Sequence, residues 1–177
     1  MRFLLIPALL LFALHPADAQ TLTARGANGA AVEIETGQSE KGVQLSITVA
    51  GGEPQLFDGI GDALVPLRAG NRSGAVIAFD VDRDGIDEIF IRTSLQGQRG
   101  LLLVFRWNAS TNQYLPVRFS EDSGAPKSYL FVHLSQPVSV TGNVIEANFD
   151  SSDSGRTRLR VFRYRWNGDG FAQTTDN

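Results

Sequence analysis

Between Val43 and Val49 apolar and polar residues alternate without a break, with Val43, Leu45, Ile47 and Val49 set against Gln44, Ser46 and Thr48. Side chains of a strand switch face at every residue, so this pattern predicts a strand with one face buried and one wet. Val32-Glu33-Ile34-Glu35 alternates in the same way. The polar stretch 36–42, with its two glycines, predicts the turn that joins the two strands as a hairpin. Residues 54–73 are broken by Gly59, Gly61, Pro66 and Gly70, which predicts loops and short strand fragments.

The pattern then changes. Residues 75–79 and 88–93 predict two strands around an acidic stretch, and the nearly unbroken apolar run 101–107 predicts a central strand covered on both faces. Residues 113–119 predict a further strand, placed at a sheet edge by Pro116. Beyond a polar loop at 120–127, alternation at 129–134, 138–140 and 144–149 predicts more strands, and 150–155 predicts a loop. The last strand, 159–166, sets Leu159, Val161, Tyr164 and Trp166 against Arg158, Arg160, Arg163 and Arg165. Its arginines predict the solvated face of an edge strand. Asn167-Gly168-Asp169-Gly170 predicts a hairpin turn. No segment keeps a helical period, so the expected fold is mainly β: a small antiparallel β-domain of hairpins.

Two of these hairpins echo each other. Phe105-Arg106-Trp107-Asn108 followed by Tyr114 parallels Tyr164-Arg165-Trp166-Asn167 followed by Phe171. Each places an aromatic strand, Trp-Asn, a turn and another aromatic in succession, in the manner of two blade-like units.

The N-terminus changes the count of residues available to the fold. Met1-Arg2, the apolar run 3–14 and the small residues Ala17 and Ala19 have the build of a signal peptide over 1–19, cleaved near Ala19. The expectation is one β-domain over 20–177 in the periplasm or outside the cell. No Cys follows the signal, so anchoring through a lipidated terminal Cys is excluded. The mild net charge of -3 and dispersed Lys and Arg argue against nucleic acid as a partner. With no Cys and two His, one of them His15 in the leader, His133 alone remains for catalysis, and a His-rich zinc site is excluded.

The acidic stretch carries the clearest chemistry. Asp80, Asp82 and Asp84 alternate, Gly85 follows, and Glu88 stands at the ninth position. Calcium takes six to eight oxygen ligands, and alternate carboxylates around a tight turn supply them. The expected ligands are Asp80, Asp82 and Asp84, the backbone carbonyl of Ile86, and Glu88, with Arg83 and Asp87 pointing away. Without a cation, carboxylates this close repel one another. An EF-hand would need Glu at the twelfth position, where this chain has Ile91.

A nine-residue loop of this kind between strands resembles the FG-GAP and VCBS repeats of integrin-like propellers and exported bacterial proteins. The likeness covers roughly 73–119 and rests on Asp-x-Asp-x-Asp-Gly-x-x-Glu followed by Ile-Phe-Ile. A single loop in a chain of this length falls short of a full propeller. Together with Tyr164-Arg165-Trp166-Asn167-Gly168, it is also similar to periplasmic immunity proteins that inhibit peptidoglycan hydrolase toxins. That resemblance implies a calcium-stabilised, non-enzymatic periplasmic binding protein with a protein partner, and points to such a hydrolase as that partner. The alternative is a calcium-dependent surface or matrix adhesion module, and a hydrolase is the third reading.

Overall fold

The computed structural model describes residues 21–96, 99–121, 124–153 and 156–174, with side chains described outside 150–158. The expected Met1–Ala19 signal lies outside the described residues. The fold is mainly β, built almost entirely of antiparallel pairs in three sheets. Among the described residues, no helix is long and apolar enough to cross a membrane.

The first sheet runs β1 (Thr21–Arg25), β2 (Ala31–Ser39), β3 (Gly42–Val49) and β4 (Gln55–Phe57), in that spatial order. The alternation at 32–35 and 43–49 faces inward as expected. The turn is tighter than residues 36–42, however: Ser39 pairs with Gly42, leaving Glu40 and Lys41 as the loop. Thr36 continues the inward series Val32, Ile34 and is 4% exposed. Its β-branched side chain suits a half-buried strand, and this outweighed the two nearby glycines.

After β5 (Leu67–Ala69) and β6 (Arg72–Gly74), the chain enters the middle sheet. That sheet contains β7 (Val76–Phe79), β8 (Glu88–Ser94), β9 (Arg99–Asn108) and β10 (Gln113–Pro116), ordered β10-β9-β8-β7. Both of its faces are covered. Val76, Ala78, Ile89, Ile91 and Phe105 pack with Ile34, Leu45 and Ile47 of the first sheet. Ile77, Phe90, Leu102 and Val104 pack with residues of the third. The continuous apolar runs at 75–79, 89–91 and 101–105 follow from this two-sided burial.

The third sheet takes β11 (Arg118–Ser120), β13 (Ser139–Thr141), β14 (Val144–Asp153), β15 (Arg156–Trp166) and β16 (Gly170–Thr174), together with β5 and β6. Its order is β11-β16-β15-β14-β13-β5-β6, with short parallel pairs at β11–β16 and β13–β5. β12 (Leu130–His133) pairs instead with β9.

The expected strand at 113–119 is two strands in different sheets. Pro116 has no N–H to extend the β10 ladder, and Val117 donates to Val104 O at the crossing. Tyr114 therefore joins one core and Phe119 the other.

Residues 150–153 of the expected 150–155 loop are strand, and 154–155 lie outside the described residues. β14 and β15 pair from Val144↔Arg165 out to Asp153↔Arg156, a long ribbon in place of two short strands. The faces of β15 differ from the expected set too. Phe162, Tyr164 and Trp166 face the core, while Leu159 and Val161 lie outside it. The parity of 159 and 161 is opposite to that of 164 and 166, so a regular strand cannot bury all four. Nor is β15 an edge strand along its whole length, since residues 163–166 lie between β14 and β16.

The echoed hairpins are real structural counterparts. Trp107 lies opposite Tyr114, and Trp166 opposite Phe171, with ring centroids 5.6 and 5.2 Å apart in edge-on geometry. In each turn the Asn side chain accepts backbone N–H groups two and three residues on: Asn108 from Ser110 and Thr111, Asn167 from Asp169 and Gly170. An Asx turn closing an aromatic cross-strand pair is thus used once in the middle sheet and once in the third.

Candidate metal centre

Residues 80–87 connect β7 to β8 and are held by their own side chains. Asp80 Oδ2 accepts from Gly85 N, Asp82 Oδ1 from Asp84 N, and Asp84 Oδ1 from Ile86 N. Glu88 Oε2 reaches back to accept from Val81 N at 2.9 Å. Two residues have positive φ, Arg83 at 64° and Gly85 at 89°. Glycine at the second site removes the Cβ clash that this backbone would otherwise meet.

Asp80, Asp82 and Glu88 each bring a carboxylate oxygen within 4.8 Å of the other two. Glu88 is fully buried, and its Oε1 accepts no hydrogen bond, as is also true of Asp80 Oδ1. Burial first, and then the charges of Asp82 and Asp84, push the Glu88 carboxyl up to about 8, against the opposing pull of Val81 N–H and Arg106. Asp84 lies outside the group of three. Its Oδ2 faces Arg106 Nη2 at 3.4 Å, while Ile86 shares the loop through the hydrogen bond from its N–H.

Two arginines not foreseen from the sequence frame this corner. Arg106 of β9 places Nη2 2.8 Å from Asp82 Oδ2, and Nε 3.6 Å from Glu88 Oε1. Its guanidinium carbon lies 5.1 Å from the centre of the Trp166 ring, and Nη1 donates to Gly168 O. Arg106 therefore ties the acidic loop to the β15–β16 turn. Arg25 of β1 reaches Asp80 at 3.5 Å and Asp87 at 3.2 Å. Asp87 is not one of the three clustered carboxylates, and it is buried rather than solvated. It accepts from Arg25 N as well as from the guanidinium, and its own N–H donates to Arg25 O. The sequence did hold one signal for Arg106: a lone charge inside an apolar central strand needs a partner.

The donor set fits a hard cation. Every candidate ligand is oxygen, and the buried Oε1 and Oδ1 atoms lack donors of their own. Asp80, Asp82 and Asp84 bring three negative charges to the loop, and a fourth whenever Glu88 ionises, against the guanidiniums of Arg106 and Arg25. An excess of negative charge therefore remains for a divalent ion to offset.

Shallow grooves flank the corner. One, of about 390 Å³, is lined by Arg106, Trp107, Asn108, Pro116, Arg118 and Asp169. Another, of about 400 Å³, is lined by Val81, Asp82, Arg83, Gly142, Asn143 and Trp166. His133, the histidine left for catalysis, lines neither; its Nδ1 lies 3.1 Å from Ser135 Oγ two residues away.

The fold and this corner define a class: a mainly antiparallel β-protein with an acidic inter-strand loop. Comparison of the chain with protein-family models, curated proteins and solved structures finds no match.

Proposed function

We propose that the protein is a calcium-stabilised, non-enzymatic binding protein of the periplasm or cell exterior. In this reading the loop 80–88 serves as a structural clasp and the partner is another protein. One observation carries the metal assignment: Asp80, Asp82 and Glu88 each bring a carboxylate oxygen within 4.8 Å of the other two, and Glu88 is fully buried with an Oε1 that accepts no hydrogen bond. When ionised, this buried carboxylate has Arg106 Nε, 3.6 Å from Oε1, as a counter-charge, and a cation shared with Asp80 and Asp82 would add to it. Calcium suits the site better than magnesium, because an irregular set of carboxylate and carbonyl oxygens meets its loose geometry. Asp84 and the Ile86 carbonyl complete the shell by small movements of an exposed loop.

The bound ion would offset repulsion in the β7–β8 connection, and through Arg106 it would steady the Trp166 turn. A carboxylate cluster committed to an ion, with no nucleophile–base pair beside it among the described residues, favours binding over catalysis. By resemblance to the immunity proteins, the partner is a peptidoglycan hydrolase. Calorimetric titration of chelated protein with calcium chloride tests the metal assignment. One saturable site is expected, and absence of heat together with an unchanged melting curve would remove the clasp. Co-purification of a cell-wall hydrolase from periplasmic extract, lost when the partner is competed away with pure protein, tests the second part.

A further inference from the structure

One groove beside the acidic corner holds two opposite charges that the fold does not join. It measures about 390 Å³ and lies where the chain leaves the middle sheet for the third, with Arg106, Trp107, Leu115, Pro116, Arg118 and Asp169 in its lining. Arg106 is engaged with Asp82, Asp84 and Gly168 O. Arg118 and Asp169 are placed differently. Arg118 stands opposite Gly170 in the β11–β16 pair, so its partner's immediate neighbour is Asp169. The strands are pressed together at this point, since a Cβ on Gly170 would collide with Arg118 O. Yet Arg118 and Asp169 form no ion pair with each other or with any other described residue.

The rest of the lining is mostly apolar. Trp107 is half-buried, Pro116 is exposed, and Leu115 is one of few large aliphatic side chains left in solvent, at 37% exposure. Apolar walls strengthen the field of charges set among them. Charge then defines the occupant. A simple anion drawn to Arg118 would meet the Asp169 carboxylate in the same groove. A simple cation drawn to Asp169 would meet two guanidiniums. A molecule carrying both a carboxylate and an ammonium satisfies both sides, and an apolar side chain on it would cover Trp107 and Leu115. The volume falls at the small end of the range of about 300–1,000 Å³ usual for ligand sites, which suits a dipeptide.

We infer that this groove binds a short zwitterionic peptide with an apolar side chain, its carboxylate on Arg118 and its ammonium on Asp169. The inference goes beyond the calcium clasp, and neither charge it uses belongs to loop 80–88.

The test titrates the full-length mature protein with alanyl-phenylalanine, its N-acetylated form and its C-terminal amide, followed by amide and indole NMR. The free dipeptide is expected to shift the Trp107 indole and the amides of 115 and 117–118, with a Kd on the order of 1 mM. Each cap should weaken binding to the unaltered protein about threefold, the size of an exposed ion pair. In Arg118→Gln the amide cap should cease to matter while the acetyl cap still does, and in Asp169→Asn the reverse. Both side chains are exposed, so the two variants should melt with the unaltered protein; if either fails to fold, the capped peptides on the unaltered protein decide alone. Equal binding of free and capped dipeptides, no binding by any of them, or shifts confined to other residues would overturn the inference. So would losses in the two variants that ignore which end is capped.

Discussion

Glu88 and Arg92 stand four residues apart on β8, on the same face, and both are buried, at 0% and 3% exposure. Their charges are settled differently. Arg92 donates from Nη1 to Pro66 O and from Nη2 towards the carbonyls of His133, Leu134 and Gln136, at 2.7–3.0 Å. The protein has wrapped a turn around this cation, leaving only its Nε without a hydrogen bond. Burial still draws the guanidinium down from its ordinary value. Glu88 receives one backbone N–H and sits among other carboxylates, with Oε1 unbonded. A buried charge caught in a cage of main-chain dipoles is complete and structural. Glu88, among like charges and with Arg106 Nε 3.6 Å from its Oε1, is settled instead by a raised affinity for a proton.

The comparison breaks most sharply at Arg92. Arg92→Met should cost about 3–5 kcal/mol, because four carbonyls gathered around a buried guanidinium lose their donor together. Chemical denaturation measures the loss, and a cost below about 1 kcal/mol would show that water replaces the guanidinium. Calcium response should be kept in any folded fraction.

At the other end of β8, calcium at about 100 times its Kd should stabilise the wild type by about 2.7 kcal/mol. Glu88→Gln should abolish that response while leaving the chelated protein as stable as before or more so. The amide keeps an acceptor for Val81 N–H and removes the like charge. A full calcium response in this variant would take Glu88 out of the ligand set.

The pH dependence sharpens the same contrast. Glu88 is raised from 4.5 to about 8 in the folded chain without metal, so the folded state holds its proton more tightly than the unfolded state. Its favourable contribution is full below pH 4.5 and is lost as pH rises to about 8. The chelated wild type should therefore lose stability across this window relative to Glu88→Gln. Saturating calcium should flatten the difference, because the ion favours the ionised form. Parallel curves for the two chelated proteins would contradict this.

The smallest effect belongs to Asp87. Asp87→Ala should lower the melting temperature by a few degrees through release of β1 from Arg25, and it should leave calcium affinity unchanged. Asp82→Ala should do the reverse, weakening calcium and changing chelated stability little. Equal losses of affinity in the two variants would show that the loop does not separate the two roles.

Much of the β architecture was legible because its code is local. The inward series at 43, 45, 47, the unbroken run at 101–105 and the Asn-Gly turn at 167–168 each state their burial within a few residues. The errors share a cause as well. Thr36, the split at Pro116 and the ribbon at 150–153 all depend on what lies across a sheet, which a window along the chain does not contain. The carboxylates of the loop were legible by spacing. Arg106 and Arg25, at separations of 24 and 55 residues from the aspartates they meet, were not.

By itself the sequence determined a β-protein made of hairpins and an acidic turn between two strands, since alternation, glycine and aspartate act through near neighbours. Only the tertiary structure decided that the middle sheet is covered on both sides, and that Glu88 is sealed while Asp84 is not. It also decided that Leu159 and Val161 face away from the core. Burial and unpaired oxygens are properties of packing, and packing is set by residues far apart in the chain.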